Sequence, residues 1–361
     1  MCTTTRTDLQ QRNARAPSVL AGLTLSVALT VAAAMTPRIA GAQQGGTVEH
    51  IKVHSAAIEG NLQGNSADRD VLVYLPPSYG NETNRRYPVV YQLHGWLPGA
   101  EQWAGMINFK EGTDRAIGSG SAKEMIVVVP DSLTVHGGSM YSTSVTSGDF
   151  ESFVARDLVA YVDNHYRTLA TRASRGLSGH SMGGYGTWRI GMKHSEQYSS
   201  IYAMSSCCLG PYTADGGGMA EAGKITTLAQ AAAAGIGARV QLTLAAAWSP
   251  NPSRPPLYFD FPIENGEFKP LILTKWNANV PLAMIDQYIP NLRTFKAIGM
   301  EVGLQDGLIG VNEALSDVLT NYGIEHQYET YEGNHTNRVA ERYETRVLPF
   351  FSRELVFEKG E

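Results

Sequence analysis

The sequence predicts an α/β protein built on a mostly parallel central sheet with helices on both faces. Three observations carry that expectation. Short β-branched runs alternate with helical stripes along most of the chain, the order that yields parallel strands joined by helical crossovers. One strand-like segment runs into the glycine-crowded stretch LSGHSMGGYG, Leu177–Gly186, and leaves it as a helix. The composition, 43% hydrophobic and 17% charged over 361 residues, is that of a globular chain able to bury a large core.

At the N-terminus, Arg6, Arg12 and Arg15 precede the apolar run Val19–Met35, and the small residues Ala40 and Ala42 follow. Basic, apolar, then A-x-A is the layout of a secretory signal peptide. Residues 1–42 are therefore expected to be removed, leaving 43–361 as a secreted or periplasmic domain with no stable membrane span after cleavage. The apolar run approaches the ~17–25 residues a span needs, but its Ala, Thr and Ser content makes it only moderately hydrophobic. No lipobox cysteine follows it, and Arg12 and Arg15 are not adjacent, so neither a lipoprotein nor a twin-arginine leader is indicated. Loss of the leader takes Cys2 with it and leaves the adjacent Cys207 and Cys208, which are no disulfide framework. A formal net charge of −5 and a pI near 6.0 argue against nucleic acid as a partner.

TVEHIKVHSAA and DVLVYLPPSY alternate apolar and polar residues and predict antiparallel edge strands. YPVVYQLHG and EMIVVVPDS follow, the latter a continuous β-branched run of the kind buried on both faces of a parallel sheet. Phe150, Phe153, Val154, Leu158, Tyr161 and Val162 lie on one helical stripe, with Ser147 or Asp149 available as its cap. ASRGLSG enters the serine turn and GGYGTWRIGMKHS leaves it as a helix. SSIYAMSS, AIGMEVGLQD and IEHQYETYEG predict further strands, with the helix GVNEALSDVLTNYG between the last two. The stretch 209–292, before the penultimate strand, breaks this rhythm with glycine, alanine and proline clusters and several aromatics. An insertion that long in a compact domain suggests a lid or substrate-binding segment, with Trp248, Tyr258 and Trp276 as candidate walls.

Gly179-His180-Ser181-Met182-Gly183 is the G-x-S-x-G match of the chain. The motif makes a sharp strand-to-helix turn that lifts the serine hydroxyl above the sheet and aims the next N–H, that of Met182, at a developing oxyanion. A serine hydroxyl needs a base to accept its proton. Of the downstream histidines, His194 sits on the helix leaving the turn and His326 within a strand, whereas His335 lies in a loop just past the last strand, where parallel sheets place their sites. The acid is expected after the penultimate strand, at Asp306. Asp317 is mid-helix, Asp286 is in the insertion, and Glu332 is too close in sequence to point back at His335. A second oxyanion N–H is expected from the loop after the third strand, at Trp96 or alternatively Leu97. No H-x-x-E-H, H-E-x-x-H or C-x-x-C spacing occurs, so a metal site has little support.

Together, VYLPPSYGNETNRRYPVVYQLHG, MIVVVPDS, DFESFVARDLVAYVDNHYR, GLSGHSMGGYG and GLQDGLI…GNH resemble the esterase-D-type putative esterase family. That family includes feruloyl and acetyl-xylan esterases of the first carbohydrate-esterase class, S-formylglutathione hydrolases and antigen-85 mycolyltransferases. The resemblance covers about 70–205 and 298–351. It implies an α/β-hydrolase fold, a Ser-Asp-His triad falling on Ser181, Asp306 and His335, and cofactor-free ester cleavage. The chain departs from the family pattern in the tryptophan after His94-Gly95, in the cysteines after the strand that follows the serine turn, and in the long insertion. The expected function is a secreted serine esterase acting on a small-molecule or polysaccharide-linked ester, feruloyl and acetyl esters among them. An antigen-85-type acyltransferase and a catalytically silent binding module are the alternatives. In an oxidising compartment Cys207 and Cys208 could close a vicinal disulfide or remain two thiols, and the sequence leaves both open.

Overall fold

The computed structural model describes residues 45–214 and 217–358, so the expected leader lies outside the described residues. Eight strands among them form one sheet: β1 (Thr47–His54), β2 (Asp68–Leu75), β3 (Val89–Leu93), β4 (Ile126–Pro130), β5 (Arg175–His180), β6 (Ser200–Met204), β7 (Ala297–Gly303) and β8 (Gln327–Tyr331). Their spatial order is β1-β2-β4-β3-β5-β6-β7-β8. Pairs β1–β2 and β2–β4 are antiparallel and the others parallel, which is the α/β-hydrolase arrangement.

Every residue of β3, β4, β5 and β6 is buried, as a sheet covered on both faces requires. The pleat divides them between two cores. Val89, Tyr91 and Leu93 of β3 enter one and Val90 the other; Ile126 and Val128 of β4 oppose Val127 and Val129 in the same way. On one face lie α1 (Ala100–Met106) and α2 (Phe109–Gly118), which contribute Trp103, Phe109 and Ile117. On the other, α3 begins at Phe150–Ser152, capped by the Asp149 carboxylate on the Ser152 N–H at 2.9 Å. It continues through a π turn, Phe153–Asp157, to Leu158–His165. Its predicted stripe is buried, except that Tyr161 is only partly so.

The helix after the serine turn, α4 (Met182–Lys193), is buried almost along its whole length. Between β6 and β7 the insertion carries α5 (Ile236–Trp248), α6 (Pro270–Asn277), shorter helical turns and a two-residue ribbon pair. α7 (Ile309–Asn321) connects β7 to β8, and α8 (Leu348–Glu354) returns to the face of α1 and α2. No helix among the described residues is long and apolar enough to cross a membrane.

The strand order matters for function at one place. From β3 the chain turns outward to β4, then returns to β5 on the other side and continues away through β6. The loops leaving β3 and β5 therefore diverge, and such a switch point opens a crevice at the carboxyl ends of the strands.

Candidate active site

Ser181 occupies that crevice, between β5 and α4. Its backbone has φ 58° and ψ −114°, a conformation costly for a non-glycine residue and held by its surroundings. The Ser181 N–H donates to Met204 O at 3.0 Å, and its carbonyl accepts from Tyr185 and Cys207 N–H at 3.0 and 3.2 Å. The glycines around it answer to backbone crowding. A Cβ on Gly179 would strike the Gly183 backbone, and one on Gly183 would strike the Leu93 carbonyl of β3. Strand, turn and helix pass too closely there for any side chain.

His335, in the loop after β8, places Nε2 at 2.9 Å from Ser181 Oγ and Nδ1 at 2.8 Å from Asp306 Oδ2. Asp306 follows β7 and also accepts the Leu308 N–H at 3.0 Å. Burial alone would raise its carboxyl, but the hydrogen bonds from His335 and Leu308 outweigh that and hold it below the usual carboxylate range. An ionised carboxylate only accepts, so Nδ1 carries the ring proton and Nε2 presents a lone pair to the serine hydroxyl. Exposure falls along the relay, from 36% for the His335 side chain to 2% for that of Asp306. The His335 ring is thus open to solvent while its carboxylate partner stays in low dielectric.

A second histidine supports the first. His180, at the end of β5, donates Nε2–H to His335 O at 2.7 Å and stacks on Trp103 with ring centroids 5.3 Å apart. Burial, with the neighbouring His335 adding to it, pushes its pKa down to about 3, so it stays neutral and keeps this donor role. The remaining candidates lie elsewhere. His194 caps the end of α4 against Glu151, His326 binds Ser316 and the Ile324 carbonyl, Asp286 accepts from Tyr322, and Asp317 and Glu332 are exposed.

The loop after β3 runs beside the serine, where a Cβ on Gly95 would stand 3.6 Å from Ser181 Cβ. Buried His94 braces this loop, with Nδ1 bound to Gly95 O and Nε2 accepting the Ser132 N–H, both at 2.7 Å. Leu97 N–H is committed to Gly137 O at 2.9 Å, which leaves Trp96 as the better oxyanion candidate of the two. Met182 N–H, the first of α4, follows Ser181 directly, at a helix end whose N–H groups lack intrahelical partners.

The three expected wall residues all lie within the insertion. Trp248 and Trp276 are 3% and 0% exposed and pack on each other, each hydrogen-bonded to a serine, as the core of the insertion. Tyr258 lines a cavity of about 380 Å³ with Leu62, Val135, His136, Leu228 and Pro256, and Ser181 is not among its lining residues. A residue next to Cys208 that sequence reasoning missed is Tyr212. It is half-buried, lies 5.7 Å from both tryptophan rings, and its hydroxyl interacts with Cys208. A lone tyrosine in a loop carries no periodic signal; only its proximity to the cysteines in sequence hinted at it.

Comparison with known proteins bears on the family and the fold. An endo-1,4-β-xylanase/feruloyl esterase of Xylanibacter ruminicola is 32% identical over 134 residues, 35% of this chain and 18% of that protein. An esterase of Mycobacterium tuberculosis is 32% identical over 145 residues, 39% of this chain and 29% of that one. The chain thus spans less than a third of the length of these relatives. Among solved structures, a ferulic acid esterase superimposes with a TM-score of 0.61 at 21% identity, covering 86% of this chain and 99% of the other. The ferulic acid esterase of Anaeromyces mucronatus gives 0.52 at 17% identity, over 87% and 94%. At such identities these structures speak for the fold. The family described as "Putative esterase" matches residues 65–339, well over half the chain, and the protein belongs to that family.

Proposed function

We propose that this protein is a serine esterase that hydrolyses carboxylic esters through an acyl-enzyme on Ser181. The observation that supports it best is the continuous relay from Ser181 Oγ through His335 to Asp306, at 2.9 and 2.8 Å, on a serine held at positive φ. His335 Nε2 accepts the hydroxyl proton as Oγ attacks the ester carbonyl, and Asp306 steadies the resulting imidazolium. The N–H groups of Met182 and Trp96 receive the oxyanion. His335 returns the proton to the leaving alcohol, then draws one from water as the acyl-enzyme is discharged. Residues 1–42 act as an export leader, and the substrate is an ester met outside the cytoplasm. Feruloyl and acetyl esters of polysaccharides fit best, given the similar proteins named for feruloyl ester cleavage.

An organophosphonate should label Ser181 alone, and Ser181→Ala should abolish labelling while lowering kcat by about 10⁴–10⁶. Labelling that survives the substitution would remove the nucleophile assignment. A panel of acetyl, feruloyl and longer acyl esters, run with and without added alcohols, defines the substrate. Acyl transfer to alcohol outpacing hydrolysis would make the protein a transferase.

A further inference from the structure

Cys207 and Cys208 lie just past β6, against the nucleophile. Cys207 N–H donates to Ser181 O, its thiol interacts with the Ser181 hydroxyl, and Cys208 touches Tyr212. Both side chains are half-buried thiols, with Sγ atoms 2.7 Å apart. That separation is short for unbonded sulfurs and longer than the ~2.05 Å of a disulfide.

The backbone enforces the approach. Ser205 and Cys208 both adopt positive φ, 43° and 61°, and the segment is pinned from both sides. Ser205 N–H donates to Glu301 O at 2.7 Å, and Asn312 of α7 holds the Ser206 carbonyl at 3.0 Å. On the far side, the Leu282 N–H holds the Leu209 carbonyl at 3.0 Å. Adjacent cysteines on an extended strand would point to opposite faces. Here the kink turns both sulfurs to one side, next to the crevice, and the anchors keep them from swinging apart.

We propose that Cys207–Cys208 is an oxidisable dithiol that forms one wall of the acyl pocket and closes to a vicinal disulfide. The co-reactant is an oxidised disulfide compound, small molecule or protein. One cysteine thiolate attacks it, breaking its S–S bond and releasing the first thiol. The second cysteine then displaces the other half as a second thiol, forming Sγ–Sγ. Two S–H bonds are lost, one S–S bond forms, and the two protons and two electrons end on the two released thiols. Closure draws the pair into an eight-membered ring and replaces the thiol groups beside Ser181 and Tyr212, changing the shape and polarity of the wall. The neighbouring Cys208 thiol, followed by burial, pushes the Cys207 thiol up.

The test is peptide mapping of the full chain after exposure to oxidised glutathione or to a phosphine reductant. The tryptic peptide 194–224 carries both cysteines. After oxidation it should be about 2 Da lighter and take up no iodoacetamide, and after reduction it should take up one adduct per cysteine. Ratios of kcat/KM between acetyl and bulkier acyl esters should differ at least threefold between the two forms, and Cys207→Ser and Cys208→Ser should each lose that response. Two alkylatable thiols persisting in excess oxidised glutathione, or a stable mixed disulfide with glutathione, would overturn ring closure. Identical ester ratios in both forms would overturn the pocket-wall assignment. The mass readout needs no turnover, so it stands apart from the proposed esterase activity.

Discussion

Asp306 shows how a single side chain is defined by its surroundings. Aspartates 286, 306 and 317 all follow the serine in sequence, and only Asp306 sits where β7 ends at the crevice and meets His335 Nδ1. Asp306→Asn should preserve the fold, because shape is nearly unchanged. It should still lower kcat by about 10⁴, since an amide can offer its NH₂ to the ring and hold the imidazole in the wrong tautomer. Asp286→Asn and Asp317→Asn, both at exposed positions, should stay within about tenfold of the parent, and steady-state kinetics on an aryl acetate compares the three. A severe Asp286→Asn would move the acid into the insertion. Ser181, His335 and Asp306 were legible because each must lie just past a strand, a rule that depends on chain order alone. Tyr212 and His180 were not. Their roles come from what folds against them, Cys208 for one and the His335 carbonyl for the other.

Among the elements, the insertion shapes the site by bracing the loops around it. Thr243 of α5 accepts the Trp96 indole N–H at 2.9 Å and donates to His136 O at 2.6 Å, tying the loops after β3 and β4 together. Thr243→Val would strand the half-buried Trp96 indole N–H and the buried His136 carbonyl, the latter at a cost of about 1–3 kcal/mol. If the tie positions the Trp96 backbone, kcat should fall about tenfold with KM nearly constant, and Thr243→Ser should restore it. A lowered melting temperature with unchanged kcat would make the tie purely structural. The sequence revealed that the insertion exists but not how it faces. Trp248 ends α5 and Trp276 lies in α6, and only the packing of those helices shows that the two rings bury each other. α1 and α2 were missed for a local reason: Gly105, Gly112 and Gly118 interrupt their apolar pattern. The strands were legible because β-branched runs bounded by turns survive such interruption, but β2, expected at an edge, is paired on both sides by β1 and β4.

At the level of the whole molecule, burying a site at the switch point also buries imidazoles, and that gives folding stability a pH dependence. His94 and His180 flank the serine, and His136 lies in the loop after β4 that α5 holds; burial lowers all three, His180 to about 3 and His136 to about 4. For His136 the Arg239 charge adds to burial, and its ring packs 5.5 Å from Phe259. An unfolded histidine binds a proton below about 6.5 while these folded ones do not, so the unfolded state holds more protons and stability must fall as pH falls. The loss begins near the unfolded value and, for His136, ends near pH 4, where the folded ring also charges. A difference of that size corresponds to about 3 kcal/mol between pH 7 and pH 4 from this residue. His136→Phe keeps an aromatic ring against Phe259 and removes the titration. Urea unfolding of parent and variant across pH 7 to 4 should therefore show the parent losing that much more stability than the variant over the interval. Parallel profiles would mean that His136 takes up its proton in the folded protein, through an opening of the loop that α5 holds in place.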